Sequence, residues 1–170
     1  MRCVPSGHRS LSLSALALLV LPLLSGCGFG TSQASFVAEA NRACEQSATR
    51  IANMHRPDGP PAATGYAIDL FAQKDRLLIS LNEMDLPARD STALRDGWLR
   101  PATRDLARAR PGLVRIHRAA MSADSARLAD ELAALARADT AGVDDTLLSR
   151  YGLTDCLRIF GDPTEPVPVS

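Results

Sequence analysis

The sequence predicts an all-α fold: an antiparallel bundle of about four main helices with a short C-terminal helix. Three observations predict it. Apolar residues recur at intervals of three and four along most of the chain. No run of alternating β-branched residues occurs. Clusters of Pro, Gly and Asp separate the periodic stretches. The 170 residues are 46% hydrophobic but only 4% aromatic, and 19 basic side chains face 19 acidic ones. That composition fits one soluble domain with a core built mainly from Leu and Ala.

From Ser35, residues Val37, Ala40, Cys44, Ala48, Ile51 and His55 hold the helical period, and the run from Arg56 to Pro61 ends it. A second helix is expected from about Gly65 to Asp85, with Tyr66, Leu70, Leu77, Leu78, Leu81 and Met84 as its apolar face; Leu86-Pro87 stops it. Asp90 or Ser91 can cap a third helix carrying Leu94, Trp98, Ala102, Leu106, Ala109, Leu113, Ile116 and Ala120. Pro101 and Pro111-Gly112 interrupt that stripe, so a kink or a two-part helix is expected. Asp124 caps a fourth helix with Leu128, Leu132 and Leu135, ending near Asp139. Asp144 caps a short fifth one through Leu147, Leu148 and Tyr151, which Gly152 ends in a left-handed turn. The bundle should occupy residues 35–160, followed by a Pro-rich tail over 161–170.

The N-terminus has its own logic. Arg2 and Arg9 precede an apolar run from Leu11 to Leu24, too short and too interrupted to span a bilayer, and then Ser25, Gly26 and Cys27. Leu24-Ser25-Gly26-Cys27 resembles the lipobox of bacterial lipoproteins. The resemblance implies a signal peptide over 1–26, diacylglycerol on the sulfur of Cys27, and residues 27–34 as lipid anchor and short tether. It places the protein on the extracytoplasmic face of the cell membrane. No Arg-Arg pair occurs near the start, which favours the general export route.

With Cys3 removed and Cys27 blocked by lipid, Cys44 and Cys156 remain outside the cytosol, where an even pair reads as a disulfide. It would close a loop of about 112 residues and tie the first helix to the last segment. Phe36-Val37, Ala40-Asn41 and Cys44 at one end, with Tyr151-Gly152-Leu153 and Cys156 at the other, are similar to a group of small lipid-anchored or secreted helical proteins of high-GC Gram-positive bacteria. That resemblance bears on fold and location and carries over no active site.

Chemistry-bearing motifs are scarce. The expected mature chain holds no Gly-rich phosphate loop, nucleophile elbow, H-E-x-x-H pair or haem-attachment motif. His117 and Met121 stand four residues apart and could in principle ligate haem iron, but an interfacial histidine beside a core methionine is the simpler reading. His55 at a helix end suits the helix dipole. Asp130-Glu131 reads as a solvated face, and the pattern for a calcium loop is missing after Ala138. No cofactor or metal is expected, and a neutral net charge disfavours nucleic acid as a partner. Arg100, Arg104, Arg108 and Arg115 line one helical stripe that could meet anionic headgroups or wall polymer; the plainer alternative is a solvent face balanced by Asp96 and Asp105. The expectation is therefore a non-enzymatic, lipid-anchored envelope protein, a binding or interaction module for an unknown envelope protein or small ligand. The alternative is a carrier of an apolar or haem-like ligand in the bundle core.

Overall fold

The computed structural model describes residues 31–161. The expected signal segment, Cys27 and the tail beyond Gly161 lie outside the described residues. Those described are all-helical: α1 (Gln33–Ala52), α2 (Pro60–Glu83), α3 (Ser91–Leu94), a π-helical turn (Arg95–Leu99), α4 (Arg100–Met121), α5 (Ser125–Ala136), α6 (Asp145–Tyr151) and α7 (Thr154–Phe160).

Helix α1 starts earlier than Ser35 because Ser32 is its cap: the Ser32 hydroxyl accepts the Ser35 amide at 3.1 Å. Its buried stripe is Phe36, Ala40, Cys44 and Ser47; Ala40 and Cys44 are as expected, Val37 and Ile51 pack half-buried against the core, and Phe36 takes the fully buried place at the start. The ring of Phe36 holds that place by meeting Tyr151 edge-on, centroids 6.2 Å apart. The helix ends before His55, which bonds exposed Asp58 at 3.0 Å in the following loop. The expected role of His55 at the helix dipole is thereby corrected.

Helix α2 also starts early. Pro60 and Pro61, read from sequence as loop, occupy its first turn, where a missing N–H costs nothing and φ is already helical. Its buried face is Ala63, Ala67, Leu70, Phe71, Lys74, Leu77, Leu78 and Leu81.

The expected interruption of the third helix lies in a different place. Pro111 sits inside an unbroken α4, on an exposed side where water can take the carbonyl it frees. The irregularity precedes Pro101 instead. A proline at 101 leaves the carbonyl of Gly97 without its helical donor, and the chain widens there into a π turn. The Gly97 oxygen accepts the amide of Asp144 at 2.8 Å, docking the start of α6 on this turn. Gly97 is needed for the approach, since a Cβ there would lie 2.8 Å from Cδ2 of buried Leu147.

Asp124 and Asp144 cap α5 and α6 as expected, accepting the amides of Arg127 at 3.0 Å and Leu147 at 2.9 Å. Asp90 has no side-chain capping bond to α3; its carboxylate instead accepts the Tyr151 hydroxyl at 3.1 Å. Gly152 takes φ 82°, and the Leu153 amide returns to the Leu148 carbonyl at 3.0 Å. The segment containing Cys156 is itself helical, as α7.

Trp98, Phe36, Phe160, Leu81, Leu94, Leu106, Ile116, Leu148 and Leu153 are the largest fully buried apolar side chains. Two contacts fix the α2–α4 register: the Asn82 amide donates to the Thr103 hydroxyl at 3.2 Å, and the Arg110 guanidinium lies 5.5 Å from the Phe71 ring centre. Rising numbers on α2 meet falling numbers on α4, so these helices run antiparallel. On the other side of the molecule, Cys44 and Cys156 stand at disulfide distance, 112 residues apart in sequence. Asn41 reinforces that junction: its amide donates to the Gly152 carbonyl at 2.9 Å, and its side-chain oxygen accepts the Asp155 amide at 3.1 Å.

Closing so long a loop contributes on the order of 4 to 5 kcal/mol by chain entropy. Cys44→Ser should therefore lower the melting temperature by roughly 10 °C, measured by circular dichroism against the oxidised wild type. Gly97→Ala should cost about 1 to 3 kcal/mol in urea unfolding, because the added methyl overpacks Leu147.

Candidate functional site

The only lysine of the chain stands at the most unusual polar position in the structure. Lys74 follows Leu70 by one helical turn and precedes Leu77 and Leu78 on the inward face of α2, 4% exposed. A buried ammonium must find partners for three protons, and Lys74 does so. It donates to the carbonyls of Ala136 at 3.1 Å and Ala138 at 2.8 Å, and to the Asp139 carboxylate. Ala136 ends α5, so the cation also satisfies a terminal helix carbonyl and complements the negative end of the helix dipole.

Asp139 reaches inward because its backbone is left-handed, φ 75°, a conformation Asp tolerates better than most residues. It is fully buried, and its second carboxylate oxygen has no hydrogen-bond partner among the described residues. Burial dominates its titration and pushes the carboxyl up to about 6; Lys74 opposes that shift, and the nearby charge of Asp105 adds to it.

Asp105 links this pair to the surface. Above it, Pro101, Arg104, Asp105 and Arg108 of α4 face Ala141 and Gly142 across an open groove of about 300 Å³. Arg108 donates to Asp105 at 2.7 Å. A shallow concavity with charged walls suits a small polar group or solvent more than an apolar ligand. A second perturbed group lies elsewhere: burial, with help from Asp90, pushes the Tyr151 hydroxyl up to about 12.

The expected arginine stripe is present but largely committed. Arg100 pairs with Asp96 at 2.6 Å, Arg108 with Asp105, and Arg115 holds Glu131 through both carboxylate oxygens at 2.8 and 2.9 Å. Arg104 lines the groove. Glu131 thus belongs to an interhelical ion pair, which corrects its reading as solvated face. His117 is exposed, and Met121 is 76% exposed, so Met121 is no core methionine. Its position at the last turn of α4 carries it past the packed part of the helix. No group of His, Cys, Asp or Glu suited to a metal ion occurs among the described residues.

Sequence reading passed over Lys74 and Asp139, although a signal was available. A lone lysine in an arginine-rich chain sits between Leu70 and Leu77 on an apolar helical face. Its acidic partner is 65 residues away, in a loop, where no periodicity points.

No protein-family model, curated protein or solved structure matches this chain. The site defines a helical domain in which, among the described residues, a buried Lys74–Asp139 ion pair braces a loop.

Lys74→Met would leave Asp139 facing burial and Asp105 without a cation. At about pH 7 the loss should be roughly 3 to 5 kcal/mol. The folded carboxyl titrates above its ordinary 3.8, so its protonated form stabilises the fold fully below about 4, and that contribution is lost as the pH rises through about 6. The cost of Lys74→Met should accordingly shrink when unfolding is measured near pH 4.5, where the carboxyl left behind is neutral.

Proposed function

We propose that this protein is a lipid-anchored, non-enzymatic domain of the cell envelope, an interaction module held on the outer face of the cytoplasmic membrane. The observation that carries this reading is Leu24-Ser25-Gly26-Cys27 placed a few residues before Ser32, which caps α1. A lipidated Cys27 would leave a tether reaching at most about 20 Å, so the domain would work at the bilayer surface. The disulfide supports an oxidising compartment. Among the described residues no helix is long and apolar enough to cross a membrane.

The packing of the core supports this reading over carriage of an apolar or haem-like ligand. Trp98, Phe160, Leu106 and Ile116 fill the space between helices, and the His117–Met121 pair lies at the surface.

The test is the intact mass of the full chain expressed in a bacterial host. The expected wild-type mass is that of a chain beginning at Cys27 plus a diacylglyceryl group, and Cys27→Ser should lose that mass and partition out of the detergent phase. A wild-type protein with an unmodified Cys27 overturns the reading.

A further inference from the structure

We propose that the outer rim of the α2–α4 seam is the face on which the domain rests against an anionic lipid surface. From the anchored reading this takes only the proximity of a bilayer.

The first support is where apolar surface is left uncovered. Ile68, Ile79, Val114 and Met121 are the exposed large hydrophobic side chains of the described residues, 51 to 76% exposed, and all four lie on α2 and α4. Ile68 and Ile79 are separated by about three helical turns, and Val114 and Met121 by about two, so each pair shares a face. The antiparallel register set by Asn82 with Thr103, and by Phe71 with Arg110, brings Ile68 beside the turn of Val114 and Ile79 beside that of Arg104. The four form one strip across two packed helices.

The second support is charge. Helix α4 carries Arg100, Arg104, Arg108, Arg110, Arg115 and Arg118 against the single carboxylate Asp105, although the whole chain is neutral. Its arginines divide by side. Arg108 and Arg115 turn toward Asp105 and Glu131, and Arg100 toward Asp96. Arg104 lies on the side of Arg108, lining the groove beside Asp105; among the described residues Arg118 enters no ion pair, and Arg110 lies over Phe71 in the seam. Arg110, Val114, Arg118 and Met121 follow one another at four, four and three residues, so cation and apolar side chain alternate down one stripe. On α2, Asp75 lies between Ile68 and Ile79 on the same stripe, and exposed Glu83 follows Ile79 by one turn. Arginines interleaved with protruding aliphatic side chains match a headgroup layer, where guanidinium meets phosphate and the apolar tips enter the acyl boundary. The lipid-facing cations of this proposal are Arg110 and Arg118, which lie off the stripe of Arg100, Arg104, Arg108 and Arg115 read from the sequence.

α1 packs on α2 and α2 on α4, and the tether from Cys27 to Ser32 would reach at most about 20 Å.

The full lipoprotein carrying Val114→Trp or Met121→Trp is reconstituted in phosphatidylglycerol vesicles with and without brominated acyl chains. Both sites are exposed, so neither change disturbs the core, and fully buried Trp98 adds a constant background. Glu45→Trp, exposed on α1, is the control. The expected result is about a twofold loss of fluorescence from the 114 and 121 probes and little from 45, reduced by Arg110→Glu with Arg118→Glu or by phosphatidylcholine vesicles. Equal quenching at all three positions, or none, overturns the proposal. So does an unquenched 121 probe when Met121 of the wild type resists oxidation in whole cells, which would assign the face to a protein partner. The mass of the same sample separates the two readings. Quenching on an unlipidated chain leaves this face standing and overturns the anchor, and a lipidated chain with unquenched probes does the reverse.

Discussion

An ammonium group inside a helical core has to be satisfied where it stands, and the way Lys74 is satisfied organises the chain from the end of α5 to α7. Its three donors fix the end of α5 and the first residues of the loop that follows. That loop leads to Asp144, whose amide is received by the carbonyl that Pro101 releases. α6 is then capped and placed, Gly152 turns the chain, and α7 brings Cys156 to Cys44. The polar interaction at the centre and the covalent tie at the edge are thus consecutive anchors on one path. Short helices such as α6 and α7 have little stability of their own, and their positions are set by these points.

Helix α4 shows how one element can serve two purposes. Its inner side supplies Leu106, Ile116 and Ala119 to the core, and its α5 side spends arginines on interhelical ion pairs. Exposed ion pairs contribute little to stability, but they fix which arginines keep an available charge. The remaining side carries cations and aliphatic groups together, an arrangement that packing within this chain does not require.

The all-helical class was legible because period and punctuation both spoke for it, and the caps at Asp124 and Asp144 were legible because capping is local. Cys44 and Cys156 could be paired by counting. What escaped the sequence was non-local. Phe36 takes the fully buried place and leaves Val37 half-buried beside it, because Tyr151 meets Phe36 from the far end of the chain. Pro60 and Pro61 look alike in a loop and in a first helical turn, and the difference depends on where the next apolar face must begin. Pro111 was tolerated because its side of α4 is exposed, which sequence period alone does not weigh. The partners of Lys74 and the commitment of Arg115 to Glu131 required a fold before they could be seen.

The π turn at Arg95–Leu99 has a consequence for how this chain can change length. A π turn is an α-helix with one residue too many, accommodated locally so that the helices before and after keep their facing. Here it lets Trp98 and Leu99 both point inward while α3 and α4 retain their own buried residues. The segment is therefore a natural expansion joint. Loss of a residue there would convert it to ordinary helix without rotating the exposed or core-facing sides of α4, whereas the same loss one turn later would swing both by a quarter turn or more. Related chains of slightly different length can be expected to place their insertions and deletions at this joint.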